Sequence, residues 1–344
     1  MTETEISTLG EFGLIKELTK NIELKHSSSL LGVGDDCAIL DYSGKDTETL
    51  ITTDLLLEGI HFDLTYVPLR HLGYKAVVVN LSDVYAMNGQ PRQITVSLGI
   101  SKRFTLEHIA ELYDGMRLAC EQYGVDLVGG DTSASVTGLI ISITCVGEGV
   151  KGKTVKRSGA RDTDLICVSG DLGAAYMGLQ LLEREREAGQ GVENFQPDFA
   201  GKEYIIERQL KPEARRDVIA EIAALDIHPT AMMDVSDGLS SELLHICHSS
   251  GVGCRVYEDR IPIDYQTAAM AEELSMNLVT AAMNGGEDYE LLFTVPLTEH
   301  DKIEQMTTAR LIGRITKPEL GAYMVTRDDA ELEIRAQGWN AFTE

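Results

Sequence analysis

Positive charge is scarce in this chain. Its 344 residues hold 30 lysines and arginines against 55 aspartates and glutamates, a formal net charge of −25. A surface of that sign repels DNA, RNA and anionic lipid, which argues against nucleic-acid and membrane roles. Many of these acids are solvated helix faces in any reading. Cysteine is sparse as well. Cys37, Cys120, Cys145, Cys167, Cys247 and Cys254 are scattered and form no CxxC pair, which argues against a zinc ribbon or a thioredoxin-like site. Most sit in apolar runs and read as small core residues. No apolar run approaches the roughly 20 residues of a membrane-spanning helix. The Met-Thr-Glu-Thr-Glu start lacks a basic-then-apolar targeting pattern, so a reduced, cytoplasmic setting is expected. There is no Gly-x-Ser-x-Gly elbow, no GxGxxG fingerprint and no Cys/His arrangement of a thiol nucleophile.

The rest of the composition, 43% hydrophobic and 25% charged, fits a globular protein long enough for two domains. Patterning predicts a short helix over 8–20, strands in 32–40 and 49–59, and a long helix from about Leu69 to Met87. A strand over 91–100 follows. Next comes a helix over 106–124, with Ile109, Leu112, Met116 and Ala119 at helical spacing. Strands over 125–131, ending in a glycine turn, and 138–150 complete a first set. That order reads as α+β: a mixed, mostly antiparallel sheet with helices on one face. The basic, glycine-bearing stretch from Lys151 to Asp164 is the expected junction, giving domains of 1–150 and 151–344. The second is expected to be a larger α/β unit. Its strands fall near 164–171, 254–263, 289–295 and 309–316, with helices over 172–187 and 217–225, and residues 230–251 run from a strand through an acidic turn to a helix. Residues 188–201 are polar with Gly and Pro and read as a surface loop.

Against this background, short segments set acids beside Gly, Ser or Thr: 32–38, 51–54, 80–83, 129–131, 233–238 and 284–293. Acids at turns and element ends can hold hard cations, and hard cations can hold phosphates. Each segment also has a plain structural reading. Gly34-Asp35-Asp36 is a common turn. Thr52-Thr53-Asp54 can be a self-bonding turn. Asp83 lies in an otherwise apolar helical stretch, where a lone buried carboxylate is costly; a metal or an exposed face resolves this equally well. Asp234 to Gly238 precedes a helix, where Asp or Ser makes an N-cap, although free helix N–H groups also favour phosphate. Gly147 to Thr154 matches GxxxxGK[ST] formally, but the residues after it lack helical periodicity, so the match reads as chance. His245 and His248 share a helix face with no further ligand at a telling spacing. His61 lies seven residues beyond Asp54.

Taken in order, segments 32–40, 51–62, 74–91, 126–133, 232–243 and 284–293 closely resemble thiamine-monophosphate kinases. The resemblance runs from about Gly10 to Phe342. The wider superfamily includes aminoimidazole ribonucleotide synthetase and selenophosphate synthetase. The resemblance implies an N-terminal domain that pairs with a second subunit through its sheet, a homodimer, and ATP with several magnesium ions between the domains. It implies metal binding by Asp35, Thr52, Thr53, Asp54, Asp83, Asp131, Asp234 and Asp237. Among these, Asp54, Asp83 and Asp234 are expected to carry catalysis through metal, with no general base. It implies nucleotide contacts from Tyr113, Gly130, Asp131, Arg157 and Ser236, and thiamine monophosphate contacts from His61, Glu287 and Trp339. Departures from the family pattern are Cys37 for alanine, Tyr85-Ala-Met-Asn88 for Ala-Ala-Met-Gly, and Gly338-Trp-Asn-Ala-Phe342 for the usual aromatic ending. Asn88 can take the left-handed turn that glycine would. The implied reaction is ATP-dependent formation of thiamine diphosphate by direct transfer, without a phosphoenzyme. Competing readings are a sister enzyme such as a ribonucleotide synthetase and a non-catalytic thiamine-phosphate or cation binder. A selenophosphate synthetase is disfavoured, because no cysteine precedes the Gly-Asp-Asp turn in a glycine-rich segment.

Overall fold

The structure, a computed structural model, describes residues 28–32, 34–42 and 46–337. The expected helix over 8–20 and the candidate Trp339 lie outside the described residues. The first sheet has six strands: β1 (Ser29–Leu31), β2 (Ala38–Leu40), β3 (Thr47–Leu57), β4 (Gln90–Ile100), β5 (Asp126–Ala134) and β6 (Ile140–Val150). Their order is β1-β2-β3-β6-β4-β5, antiparallel except for the parallel β4–β5 pair. Alternation sends Ile94, Val96 and Leu98 of β4 and Ile141, Ile143 and Cys145 of β6 inward. The register places Val96 opposite Ile143 and Ile94 opposite Cys145, so the two apolar rows meet.

Helix α1 (Leu69–Ala86) lies on that inner face. It is apolar almost all round, and 14 of its residues are buried, which is the signature of a central helix. It ends where Asn88 takes φ 57°, the left-handed conformation anticipated from the sequence. Helix α2 (Leu106–Tyr123) crosses it at very close range. A Cβ on Gly73 would sit 1.9 Å from the Leu112 carbonyl oxygen, and one on Gly115 would sit 1.8 Å from that of Arg70. Only glycine permits this crossing at both points.

Residues 151–164 carry neither helix nor strand. Beyond them stand β7 (Leu165–Ser169), α3 (Ala174–Gly189), α4 (Glu203–Leu210), α5 (Arg216–Ala224), β8 (Ala231–Val235), α6 (Leu239–Ser250), β9 (Gly253–Tyr257), α7 (Tyr265–Glu273), α8 (Leu278–Asn284), β10 (Glu290–Val295), α9 (His300–Ile303), β11 (Ala309–Thr316), β12 (Ala322–Val325) and β13 (Glu331–Glu333). The seven-stranded sheet has the order β13-β12-β9-β11-β7-β10-β8, antiparallel except for β12–β9. Strands β7, β8 and β10 are buried along their whole length, which explains their largely apolar sequences. On one face, Cys167, Met232, Leu291 and Phe293 join the core of the first sheet and α1. On the other, Ile166, Val168, Met233 and Leu292 join the core that includes Leu243 and Ile246 of α6. The two sheets therefore share one apolar core through α1 and the central strands.

Two expectations are corrected. Gly129 to Asp131 do not form a turn; they lie inside β5, an exposed edge strand. The expected strand over 254–263 stops at Tyr257, because the charged Glu258–Arg260 segment turns as a 3-10 helix. Among the described residues, no helix is long and apolar enough to cross a membrane.

Candidate active site at the seam between the sheets

Three carboxylates from distant parts of the chain meet at the seam. Asp36, Asp83 and Asp234 each offer an oxygen within 4.8 Å of the others. Asp36 comes from the turn after Gly34, Asp83 from the last turns of α1 and Asp234 from the end of β8. Hydroxyl groups hold two of them. Thr52 Oγ1 donates to Asp83 Oδ2 at 2.5 Å, and Ser82 Oγ donates to Asp234 Oδ2 at 2.6 Å. Arg157 grips Asp36 with both Nε (3.2 Å) and a terminal nitrogen (2.8 Å). The Arg157 backbone N–H points at both oxygens of Asp35, at 3.3 Å each. This basic residue of the junction thus organises the Asp35–Asp36 pair. Of the two, Asp36 enters the group of three.

The electrostatics are those of crowded like charges. Burial, then Asp36, pushes the Asp234 carboxyl up to about 7. Burial, then Asp54 and Asp234, pushes Asp83 well above the usual carboxylate range. Burial raises Asp54 to about 6, and burial together with Asp36 raises Asp35 to about 6. Groups so placed favour a proton or a cation among them.

Strand alternation sorts the Thr-Thr-Asp segment. Thr52 and Asp54 face α1, where the Asn80 side-chain oxygen accepts from the Asp54 N–H at 3.1 Å. Thr53 points to the opposite face, donating to the Ile143 carbonyl at 3.0 Å and accepting from Thr144. The structure does not bring the Thr53 hydroxyl to the acids. Asp131 and Gly130 lie on exposed β5, outside the group of three, with Gly130 so close to β4 that a Cβ would meet the Val96 oxygen at 1.9 Å. Tyr113 is half-buried on α2.

The loops around Asp234 and Glu287 are stacked backbone to backbone. The Glu287 N–H donates to the Ser236 carbonyl at 2.7 Å, and the Tyr289 N–H donates to the Val235 carbonyl at 2.8 Å. A Cβ on Gly286 would meet the Ser236 oxygen at 2.5 Å, so this contact needs the glycine. Glu287 and Tyr289 both take positive φ, 66° and 51°, a conformation that costs about 1–3 kcal/mol each and collects at functional sites. Neither Ser236 nor Asp237 caps α6. Gly238 is the N-cap residue, and the buried Glu242 accepts from the Asp237 N–H at 2.9 Å. His61 accepts from the Leu57 N–H through Nδ1 at 3.0 Å, which assigns its proton to Nε2. Burial lowers its pKa and keeps the ring neutral, against the pull of Glu287.

Sequence reasoning missed Asp36 as a group member, and it missed Ser82, Asn80 and Glu242. Ser82 and Asn80 gave little signal, because each acts through a partner far away in sequence; Glu242 reads as an ordinary first-turn helix acid. The formal P-loop match ends β6 and runs into 151–164, where no helix follows. His245, on α6, is depressed to about 4 by burial and by Arg157, and is not one of the Asp36, Asp83 and Asp234 group.

The chain is 35% identical over 337 residues to the thiamine-monophosphate kinase of Aquifex aeolicus (strain VF5), covering 98% of this chain and 99% of that one. It belongs to the thiamine-monophosphate kinase family. The enzyme of that name from Bacillus subtilis (strain 168) is 33% identical over 340 residues, covering 97% and 100% of the two chains. Residues 34–148 match the N-terminal domain, and 164–324 the C-terminal domain, of AIR synthase related proteins. The solved structure "AaThiL complexed with AMPPCP and TMP" superposes with a TM-score of 0.84 at 34% identity, covering 99% of each chain. The expected two-domain α+β and α/β architecture is therefore that of the family.

Proposed function

We propose that this chain transfers the γ-phosphoryl group of ATP to thiamine monophosphate, giving thiamine diphosphate and ADP. The observation that carries the reading is the Asp36, Asp83 and Asp234 group, joined by Asp54, at the seam between the sheets. It stands in a family one of whose members has been solved with AMPPCP and TMP. Both substrates are anions, and the chain's own surface repels them. The acceptor phosphate is already ionised near neutral pH, so the chemistry needs positioning and charge stabilisation rather than a general base.

The donor set fits magnesium: hard carboxylate and hydroxyl oxygens, crowded and buried enough to favour a cation. Asp54, Asp83 and Asp234, with Asp35 or Asp36, would hold it. When bound, such ions neutralise phosphate charge and align the reacting oxygens. The residues do the rest. Thr52 and Ser82 fix the rotamers of Asp83 and Asp234. Arg157 keeps Asp36 from turning away. His61 presents a neutral Nε2–H donor to the acceptor substrate. Ser236 and Asp237, on the turn before α6, are assigned nucleotide and metal contacts on the family resemblance alone. Tyr113, Gly130 and Asp131 are assigned to nucleotide on the family resemblance alone, and Trp339 likewise to thiamine.

The same reading includes a homodimer built on the outer face of the first sheet. What supports it is the exposed β5 edge, with Val128 at 62% exposure, and Leu55, at 51%, beside Thr53 on the outward face. A cytoplasmic setting accords with six cysteines that are all free and buried. The test is an assay of purified protein with thiamine monophosphate, ATP and magnesium. Stoichiometric thiamine diphosphate and ADP, abolished by EDTA, is the expected result. ATP turnover without thiamine diphosphate would point to another acceptor, and no turnover by folded protein would reject the kinase.

A further inference from the structure

Lys75 is a buried cation that the phosphoryl-transfer scheme leaves unused. It lies on α1 and is 6% exposed. Its Nζ is 3.0 Å from Glu287 Oε1, bridging the first half of the chain to the loop before β10. It also donates to the main-chain oxygen of Gln209 at 3.0 Å. Gln209, near the end of α4 and 5% exposed, donates its side-chain Nε2 to Glu287 Oε2 at 2.8 Å. Both oxygens of Glu287 are therefore held, at a residue whose backbone is itself strained. The Gln209 amide can face only one way, because turned over it would set an oxygen against the carboxylate. In that orientation its Oε1 is buried with no hydrogen-bond partner in the protein. Such an acceptor is costly unless a donor from a ligand meets it.

This arrangement suits an N–H donor and not a phosphate. Glu287 is neutralised by Lys75, and what remains on offer is acceptor oxygen. We propose that Gln209, with Glu287 held in place by Lys75, reads the amino group on the pyrimidine ring of thiamine monophosphate, Gln209 being the specificity-determining contact and Lys75 a positioning residue. The inference rests on the kinase reading above and assigns the end of the substrate remote from the reacting phosphate.

The test varies the substrate first. Oxythiamine monophosphate carries an oxygen in place of the pyrimidine amino group. On the unaltered protein its KM should exceed that of thiamine monophosphate by about tenfold, the order expected for a lost hydrogen bond facing a buried acceptor. In Gln209→Met, of similar volume, that preference should shrink to within about twofold. Lys75→Met should raise the KM for thiamine monophosphate while leaving the KM for ATP unchanged, and Lys75→Arg should recover part of the loss. A general loss of structure would instead move both KM values together. Equal KM values for the two acceptors on the unaltered protein would overturn the proposal, as would full retention of the preference in Gln209→Met. Failure of the unaltered protein to phosphorylate either acceptor would overturn the kinase reading and this inference with it, so the two failures are distinguishable.

Discussion

Replacing Asp234 by Asn should stabilise the cation-free protein while destroying its activity. The side chain keeps its shape, and its amide oxygen can still accept from Ser82 Oγ, so no cavity or orphaned donor results. What disappears is a negative charge held beside Asp36 and Asp54. A carboxyl raised from 3.8 to about 7 is destabilising when ionised by on the order of 4 kcal/mol, an upper bound because the neighbours share the titration. The sign follows from linkage. Between pH 4 and 7 the unfolded chain binds fewer protons at this position than the folded one, so the Asp234 protein loses stability as pH rises through that window. The Asn variant escapes this loss. Its advantage should be largest above pH 7 and fade towards pH 4. Calorimetric melting in EDTA at pH 8 and pH 4.5 measures it, with a gain of about 1–3 kcal/mol expected at the higher pH. Magnesium should then narrow the gap, since it stabilises the unaltered protein by about 2.7 kcal/mol at a hundredfold excess over its Kd and the variant by less. A variant less stable than its parent at pH 8 in EDTA, or a gain independent of pH, would refute the like-charge argument.

Three further outcomes are expected. Asp54→Ala should lower kcat by about three orders of magnitude, matching the several kcal/mol that metal-held charge stabilisation supplies, with an unchanged circular dichroism spectrum; near-normal turnover would remove Asp54 from the site. Glu213→Ala should cost about 1–3 kcal/mol in urea unfolding, because Tyr74, Tyr123, Gln122 and Lys211 all direct donors at that one partly exposed carboxylate; a neutral effect would show that solvent replaces those bonds. Gly73→Ala should cost about 3 kcal/mol or more, since the new methyl group would lie 1.9 Å from a main-chain oxygen of α2 that cannot step aside; unchanged stability would mean that the helix pair can slide apart freely.

The acid-bearing segments were legible because each is local: glycine, a small hydroxyl residue and a carboxylate within a few positions. The long apolar stretch of α1 was equally legible, and its burial on all sides is what such a stretch requires. The choice between Asp35 and Asp36 was not. It depends on Arg157, more than a hundred residues away, and on a turn in which simple alternation does not apply. Thr53 shows the opposite case. Once β3 is known to be regular, alternation alone sends its hydroxyl away from Thr52 and Asp54. Gly129 to Asp131 read as a turn because glycine pairs usually punctuate strands; here the close approach of β4 supplies a different reason for the glycine. Lys75, Gln209 and Glu213 were invisible, since each has a partner across the seam.

That seam has an evolutionary consequence. Asp83 hangs from a helix of the first sheet and Asp234 from a strand of the second, yet the hydroxyl that orients Asp234 is Ser82, the immediate neighbour of Asp83. Each half therefore carries part of the other's working parts. A gene fusion or exchange that replaced one half with that of a distant relative would have to inherit the matching serine, arginine and carboxylates together. The two halves are bound to a shared history, and coupled substitutions should pass between them as pairs.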